Sequence, residues 1–268
     1  MANLHTTFSG SIPEYYDRCM GPFQFGPFGR ELAALVPSDP GGNVLEIACG
    51  TGLVTRMLRD RLAPARRLTA SDLSKPMIEH ARSSLAGVEG IDWREADATN
   101  LPFANGEFTV VVCALGFMFV PDRPRAFAEA RRVLRDDGRL YFSVWDRLEE
   151  NPAAQIFADE IEGLLPNDPE IRFRLPWEMH DEKLLRKLLA DARFEGVRIE
   201  KKRLALQGDP RTIATGQVRG TPRGALLEKK GLSVDAAIDR VTAAFEKLAG
   251  ADVFRTHGQV FLVEARAG

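Results

Sequence analysis

Three cysteines in 268 residues, Cys19, Cys49 and Cys113, are too few and too far apart for a disulfide framework or a zinc pattern. They suit a reducing compartment, so a cytoplasmic location is expected. Long apolar runs are also missing. The longest, residues 108–120, falls short of the roughly 18 residues of a membrane span and reads as a buried strand with its exit loop. The opening MANLHTTFSG has no basic stretch and no apolar core, so no secretion signal is expected. Charge of one sign is lacking too. Lysine and arginine number 36 against 38 acidic residues, a net charge of −2, where a dedicated nucleic-acid binder would carry a basic excess. Two basic clusters, Arg131, Arg132, Arg135 and Lys201, Lys202, Arg203, read as solvated faces of a helix and a strand. Histidine is scarce: His5, His80, His180 and His257 stand apart from carboxylate clusters, which leaves no metal site and no evident general base. Nothing in the sequence sets an oligomeric state.

What is present is a chain with 44% hydrophobic residues, enough to bury a large α/β core, and a regular alternation of strand and helix patterns. Strands are expected at 43–48, 67–72, 91–96, 108–114 and 139–145. Helices are expected at 52–63, at 74–86 with Ser74 as N-cap, and at 121–135. The strand at 108–114 is apolar throughout, as one buried on both faces should be. Helices at 152–165 and 180–192, a strand at 194–206, a helical block at 209–250 and a strand at 257–266 follow. The expected fold is a Rossmann-like α/β domain with a seven-stranded, mostly parallel sheet, helices on both faces and a helical lid. It divides into an aromatic N-terminal lid segment (1–40), the sheet domain (41–208 and 251–268) and a helical insertion (209–250).

The chemistry concentrates at residues 43–52, NVLEIACGTG. A buried strand runs into Glu46, then Gly50-Thr51-Gly52 opens a helix whose free N–H groups make a ligand cradle. A dinucleotide fingerprint wants a third glycine where Thr55 stands. It also has no strand-end carboxylate, and Glu46 would repel a pyrophosphate but attract an α-amino group. Asp72, 20 residues past Gly52, ends the second strand and can accept ribose hydroxyls; capping the next helix is its other reading. Asp97 follows the third strand and can accept an adenine amine.

At Glu46-Ile47-Ala48-Cys49-Gly50-Thr51-Gly52 the chain resembles the class I S-adenosylmethionine-dependent methyltransferases, whose first motif is E/D-x-G-x-G-x-G; Ala48 replaces the first glycine. The run LPFANGEF (101–108) is similar to that of the ubiquinone/menaquinone-biosynthesis type. The resemblance implies S-adenosyl-L-methionine as cofactor, S-adenosyl-L-homocysteine as product and a small-molecule acceptor, with no nucleic-acid partner. It implies a cofactor site at Glu46, Ala48, Cys49, Gly50 and Gly52, at Asp72 with Leu73 and Met77, at Asp97 with Ala98, and at Ala114 and Leu115. Core packing is the other reading for Met77, and Cys49 is a small packing residue of the cradle. Phe117, Met118 and Phe119 are expected near the transferable methyl, with Phe119 equally readable as core.

Five aromatic residues fall between Tyr15 and Phe28. Tyr16 and Phe25 are expected to touch the cofactor, and Tyr15, Trp145 and Trp177 to join Phe117 and Met118 around the acceptor. The reaction expected is in-line methyl transfer to O, N or C of an apolar or aromatic acceptor, with both lid segments excluding water. Two alternatives stay open: a non-catalytic S-adenosylmethionine-binding regulatory protein, and a nicotinamide-dependent oxidoreductase.

Overall fold

The structure, a computed structural model, describes Phe8 and residues 10–170, 174–249 and 253–268. Its seven strands are β1 (Val44–Ile47), β2 (Leu68–Asp72), β3 (Ile91–Glu95), β4 (Phe108–Ala114), β5 (Leu134–Trp145), β6 (Phe194–Gly208) and β7 (Phe254–Ala267). They form one sheet in the order β3-β2-β1-β4-β5-β7-β6. β1 to β5 are parallel, and β7 is antiparallel to both β5 and β6. The expected mostly parallel Rossmann-like sheet is therefore present. Strand order reverses between β1 and β4, where their carboxyl ends part and leave a crevice for a ligand.

Burial explains the central strands. Val110, Val111, Val112 and Cys113 on β4 are all 2% exposed or less, covered on both faces by helices. The crossover helices are α3 (Leu53–Arg61), α4 (Lys75–Ser84) and α5 (Arg123–Val133). Ser74 stands at the N-cap of α4, but its hydroxyl makes no cap bond. It donates instead to the Phe8 carbonyl at 2.9 Å, and Asp72 Oδ1 accepts the Ser74 N–H at 2.8 Å.

The two basic clusters are more engaged than a solvated face. Arg132 donates to the carbonyls of Leu101 and Phe103 and to Asn105 Oδ1, pinning the loop before β4. Lys202 pairs with Glu31 at 2.8 Å and Lys201 with Asp146 at 3.2 Å. Charges along β6 also keep this edge strand from pairing with another sheet.

The second half adds α6 (Pro152–Glu162), α7 (Glu182–Asp191), α8 (Pro210–Arg219), α9 (Arg223–Lys229) and α10 (Val234–Ala249). The last three leave the sheet after Gly208 and rejoin it at Phe254, which are register partners across β6 and β7. That pairing is why both strands run longer than their apolar patterns. Among the described residues no helix is long and apolar enough to cross a membrane.

Ahead of the sheet come α1 (Ile12–Tyr15), a ten-residue π-helix (Tyr16–Phe25) and α2 (Gly26–Leu35). The π-helix ends with the Gly26 N–H on the Gly21 carbonyl, an i→i−5 bond. Its wide turn has a consequence. At 3.6 residues per turn, the nine residues from 16 to 25 would make ~2.5 turns and put Tyr16 and Phe25 on opposite faces. With i→i+5 bonding they share a face, and their rings stack with centroids 4.5 Å apart.

Candidate active site

Backbone geometry shapes the crevice first. Ala48, just past β1, and Leu115, just past β4, both have positive φ, 56° and 53°. Left-handed backbone costs a non-glycine residue roughly 1 kcal/mol, which explains why the resembling motif carries glycine where this chain has Ala48. Gly116 faces Ala48 so closely that a Cβ on it would lie 2.5 Å from the Ala48 Cβ and 2.7 Å from Cys113 Sγ. The two strand ends can approach only because residue 116 has no side chain.

Three acids stand around this junction. Glu46 is 1% exposed at the end of β1. Thr55 Oγ1, in the first turn of α3, donates to Glu46 Oε2 at 2.6 Å. The residue that breaks the dinucleotide fingerprint thus holds the strand-end carboxylate. Glu46 Oε1 has no hydrogen-bond partner among the described residues. Burial pushes the Glu46 carboxyl up to about 8; the Thr55 bond pulls it down and the Asp72 charge adds to the rise. A buried carboxylate with one unsatisfied oxygen is costly. An ammonium group close to it would offset that cost. Glu46 itself does not line the cavity described below, whereas its chain neighbours Ile47 and Ala48 do.

Asp72 makes the backbone contacts of its capping reading and also lines the cavity described below. Its Oδ2 accepts the Gly50 N–H at 2.9 Å and its Oδ1 the Ser74 N–H at 2.8 Å. It therefore ties the glycine loop to the start of α4. Each oxygen keeps a lone pair for a ligand hydroxyl. Burial raises its carboxyl above the usual range, opposed by these backbone bonds. Asp97 Oδ1 accepts from the Thr99 N–H and hydroxyl, each at 2.8 Å.

These elements border a cavity of about 730 Å³. Tyr16, Phe25, Ala48, Gly50, Asp72, Leu73, Met77, Asp97, Ala98, Ala114, Leu115, Trp145 and Trp177 all line it, so these sequence-derived candidates converge on one space. Burial drives the Tyr16 phenol well above its ordinary value, with the Asp72 and Asp17 charges adding.

The remaining candidates lie elsewhere. Cys49 packs beneath the loop with Ala70 and Ile78, and Gly52 (φ 84°) serves as N-cap of α3. Tyr15 is off the cavity wall, its ring beside the guanidinium of Arg18 at 5.1 Å and Arg219 at 5.9 Å. Phe117 and Met118 are 0% exposed in the core, with Phe117 stacked on Phe127 at 4.5 Å. The expectation that these two face the acceptor is corrected. Residues 117–119 form one 3₁₀ turn, whose three side chains point in three directions, and only Phe119 reaches the cavity.

The sequence reading missed much of the opposite wall. Met20 and Gln24 come from the π-helix, Ala154, Phe157 and Ala158 from α6, Gln217 from α8, and Thr221, Pro222 and Arg223 from the turn into α9. α6 and the 3₁₀ turn Leu175–Trp177 thus cover the cavity although the sequence placed them in the sheet domain. α10 packs on α6 and α8 and does not reach the wall. Gln217 was findable as an amide on the apolar face of α8, beside Ile213, Ala214 and Val218.

Residues 45–142 match the methyltransferase-domain family. Among curated relatives, the ubiquinone/menaquinone biosynthesis C-methyltransferase of Desulfotalea psychrophila is 38% identical over 111 residues, 41% of this chain and 44% of that protein. The chain spans about half the length of the curated relatives it matches. Among solved structures, a Bacillus halodurans protein assigned to the methyltransferases superposes with a TM-score of 0.58 at 20% identity, covering 89% of this chain and 98% of that one. Phosphoethanolamine N-methyltransferase 2 of Haemonchus contortus, solved with S-adenosyl-L-methionine, superposes with a TM-score of 0.62 at 14% identity, covering 100% of this chain and 61% of that one. The family match over residues 45–142 and the shared fold agree with the motif at Glu46–Gly52: this part of the chain is similar to methyltransferase domains.

Proposed function

We propose that the protein binds S-adenosyl-L-methionine across the carboxyl ends of β1, β2 and β3 and transfers its methyl group to a small, largely apolar acceptor held under the helical cover. The observation that carries this reading is the buried, half-satisfied carboxylate of Glu46 behind a glycine loop. It suits the ammonium of an amino-acid-bearing nucleoside and is wrong for a pyrophosphate. In the same reading Asp72 receives the ribose hydroxyls, Asp97 the adenine amine, and Met77 and Leu73 flank the base. When bound, the sulfonium supplies a methyl group already activated for displacement. The chain then has to orient and dehydrate. Tyr16, stacked on Phe25, and Trp145 offer aromatic faces that favour a nearby cation. Met20, Phe119 and Phe157 keep the acceptor side apolar.

The names of the relatives point to different acceptor atoms, carbon in the Desulfotalea protein and nitrogen in the Haemonchus one. Calorimetry with S-adenosylmethionine, S-adenosylhomocysteine and NAD tests the cofactor. Binding of either sulfur ligand supports the reading, and binding of NAD alone overturns it in favour of a nicotinamide oxidoreductase. A radiolabelled methyl-transfer screen then separates an enzyme from a regulatory binder.

A further inference from the structure

The helical cover of the cavity carries two glutamines. Gln24 comes from the π-helix and Gln217 from α8, and both line the space. Gln24 is 9% exposed and Gln217 4%. The two helices meet at a glycine. A Cβ on Gly216 would lie 2.7 Å from the Cys19 Cβ and 2.9 Å from Met20 Cγ, so α8 approaches the π-helix as closely as its backbone allows. In a π-helix residues five apart share a face. Gln24 therefore stands on the side of Cys19, toward α8, while Asp17, on another face, meets the Thr51 hydroxyl of the glycine loop at 3.5 Å. Gln24 belongs to the cover and not to the strand-end cradle. Neither amide is satisfied. Gln217 Nε2 donates to the Ala153 carbonyl of α6 at 3.4 Å, which leaves Oε1 buried without a partner among the described residues. The Gln24 amide has no hydrogen-bond partner among the described residues. Trp177 Nε1 is a further unpartnered donor of this wall. Arg223, the one charged residue of the cover that lines the cavity among those described, is engaged within the chain.

The unpaired groups of the cover are therefore neutral and of both senses, amide oxygens that accept and N–H groups that donate. The rest of that wall is rings and small apolar side chains. Burying polar groups this way is costly unless a ligand pairs with them. The ligand they describe has an apolar body and both a donor and an acceptor, and a hydroxyl is the smallest group that supplies the two. We propose that the methyl acceptor is an uncharged hydroxyl compound with an apolar body, and that Gln24 and Gln217 bind and orient it, Gln217 Oε1 accepting from its O–H and the Gln24 amide donating to its oxygen. This rests on the methyltransferase reading and adds to it the acceptor class and two residues that select it. A carboxylate or phosphate fits less well, because its charge would be buried on this wall without a free cation to pair with.

The test is equilibrium binding to the full chain saturated with S-adenosylhomocysteine, using probes in which a methyl group replaces the hydroxyl: 1-naphthol with 1-methylnaphthalene, 4-ethylphenol with 4-ethyltoluene, cyclohexylmethanol with ethylcyclohexane. A site built to pair a hydroxyl rejects the analogue lacking it, because its own polar groups then stay unpaired. At least one hydroxyl compound should bind about tenfold or more tightly than its methyl analogue. Gln24→Met and Gln217→Met keep the length of the side chain and remove the amide. Each should lower that ratio about threefold or more while S-adenosylhomocysteine affinity stays within about twofold. Hydroxyl and methyl compounds binding alike, no hydroxyl compound binding, or a preference that survives both substitutions would overturn the proposal. 1-Naphthoate binding more tightly than 1-naphthol would overturn the choice of an uncharged acceptor. A loss of S-adenosylhomocysteine affinity of about tenfold or more in Gln24→Met would place that amide on the cofactor and overturn its assignment to the acceptor. If one variant does not fold by circular dichroism, the wild-type ratio and its reduction in the other decide the matter. Should the wild-type chain bind no S-adenosylhomocysteine, the cofactor reading fails. The same probe pairs on the ligand-free protein then still report on the two amides.

Discussion

Asp72 and Asp97 reach the cavity from strand ends whose positions follow from the register of β2 with β1 and of β3 with β2. Trp177, Gln217 and Arg223 reach the same cavity from a 3₁₀ turn and two short helices that share no ladder with the sheet. One wall is set by backbone pairing, so small polar side chains suffice to make it specific. The other is set by side-chain packing alone and is apolar apart from a few buried polar atoms. Substitutions on the two walls should therefore separate in what they disturb.

The largest effect is expected at Asp72. In the proposed cofactor pose Asp72→Ala removes two charge-assisted bonds to ribose, worth roughly 1.5–3 kcal/mol each, and it also releases the Gly50 and Ser74 N–H groups. S-adenosylhomocysteine affinity should fall about a hundredfold by calorimetry, with the circular dichroism spectrum of the sheet retained. Next comes Trp177→Phe on the opposite wall. It keeps an aromatic ring and removes the buried N–H, so KM for the acceptor should rise severalfold in a methyl-transfer assay, at an affinity for S-adenosylhomocysteine within about twofold of wild type. A comparable loss of cofactor affinity in both variants would erase the distinction between the walls.

Asp97→Asn should do less than Asp72→Ala. The amide keeps an acceptor for adenine and loses only charge assistance, so a weakening of about threefold to tenfold is expected in the same titration. If it proves the more damaging change, adenine is misplaced. Smallest is Ala48→Gly. Relief of the left-handed backbone should outweigh the extra freedom of the unfolded chain by less than about 1 kcal/mol. Differential scanning calorimetry should show Tm rising by up to about 3 °C; a fall would mean that the Ala48 methyl contributes more packing than strain.

The same contrast governs what could be read from the sequence. β1 to β5 and the acids at their ends were legible because strands buried on both faces read as apolar runs and their carboxyl ends are where α/β ligands bind. Thr55 was legible as a departure from the dinucleotide pattern, but its bond to Glu46 was not. On the helical side the reading faltered for identifiable reasons. A π-helix has no marker in composition, so Tyr15 was expected at the acceptor and Tyr16 at the cofactor, although of the two only Tyr16 lines the cavity. A 3₁₀ turn separates three consecutive large side chains that a linear motif lumps together, which is why Phe119 and not Phe117 or Met118 lines the space. Gln217 and Arg223 reach the cavity only because α8 and α9 fold back over it, and no spacing rule joins them to Trp177.

In the proposed function the strand-end cradle receives a nucleoside carrying an ammonium group. Burial pushes the Glu46 carboxyl up to about 8 in the ligand-free protein, above the ordinary carboxylate range. An ammonium brought near it favours the ionised form, so binding should release a proton and affinity should rise with pH until the carboxyl is ionised. Isothermal titration with S-adenosylhomocysteine at pH 6, 7 and 8, in buffers of different ionisation heat, measures both. The expected result is binding that tightens by about tenfold or more across this range with proton release, and a flat, weaker profile in Glu46→Gln. Absence of binding, or a wild-type affinity that ignores pH and matches that of Glu46→Gln, would contradict it.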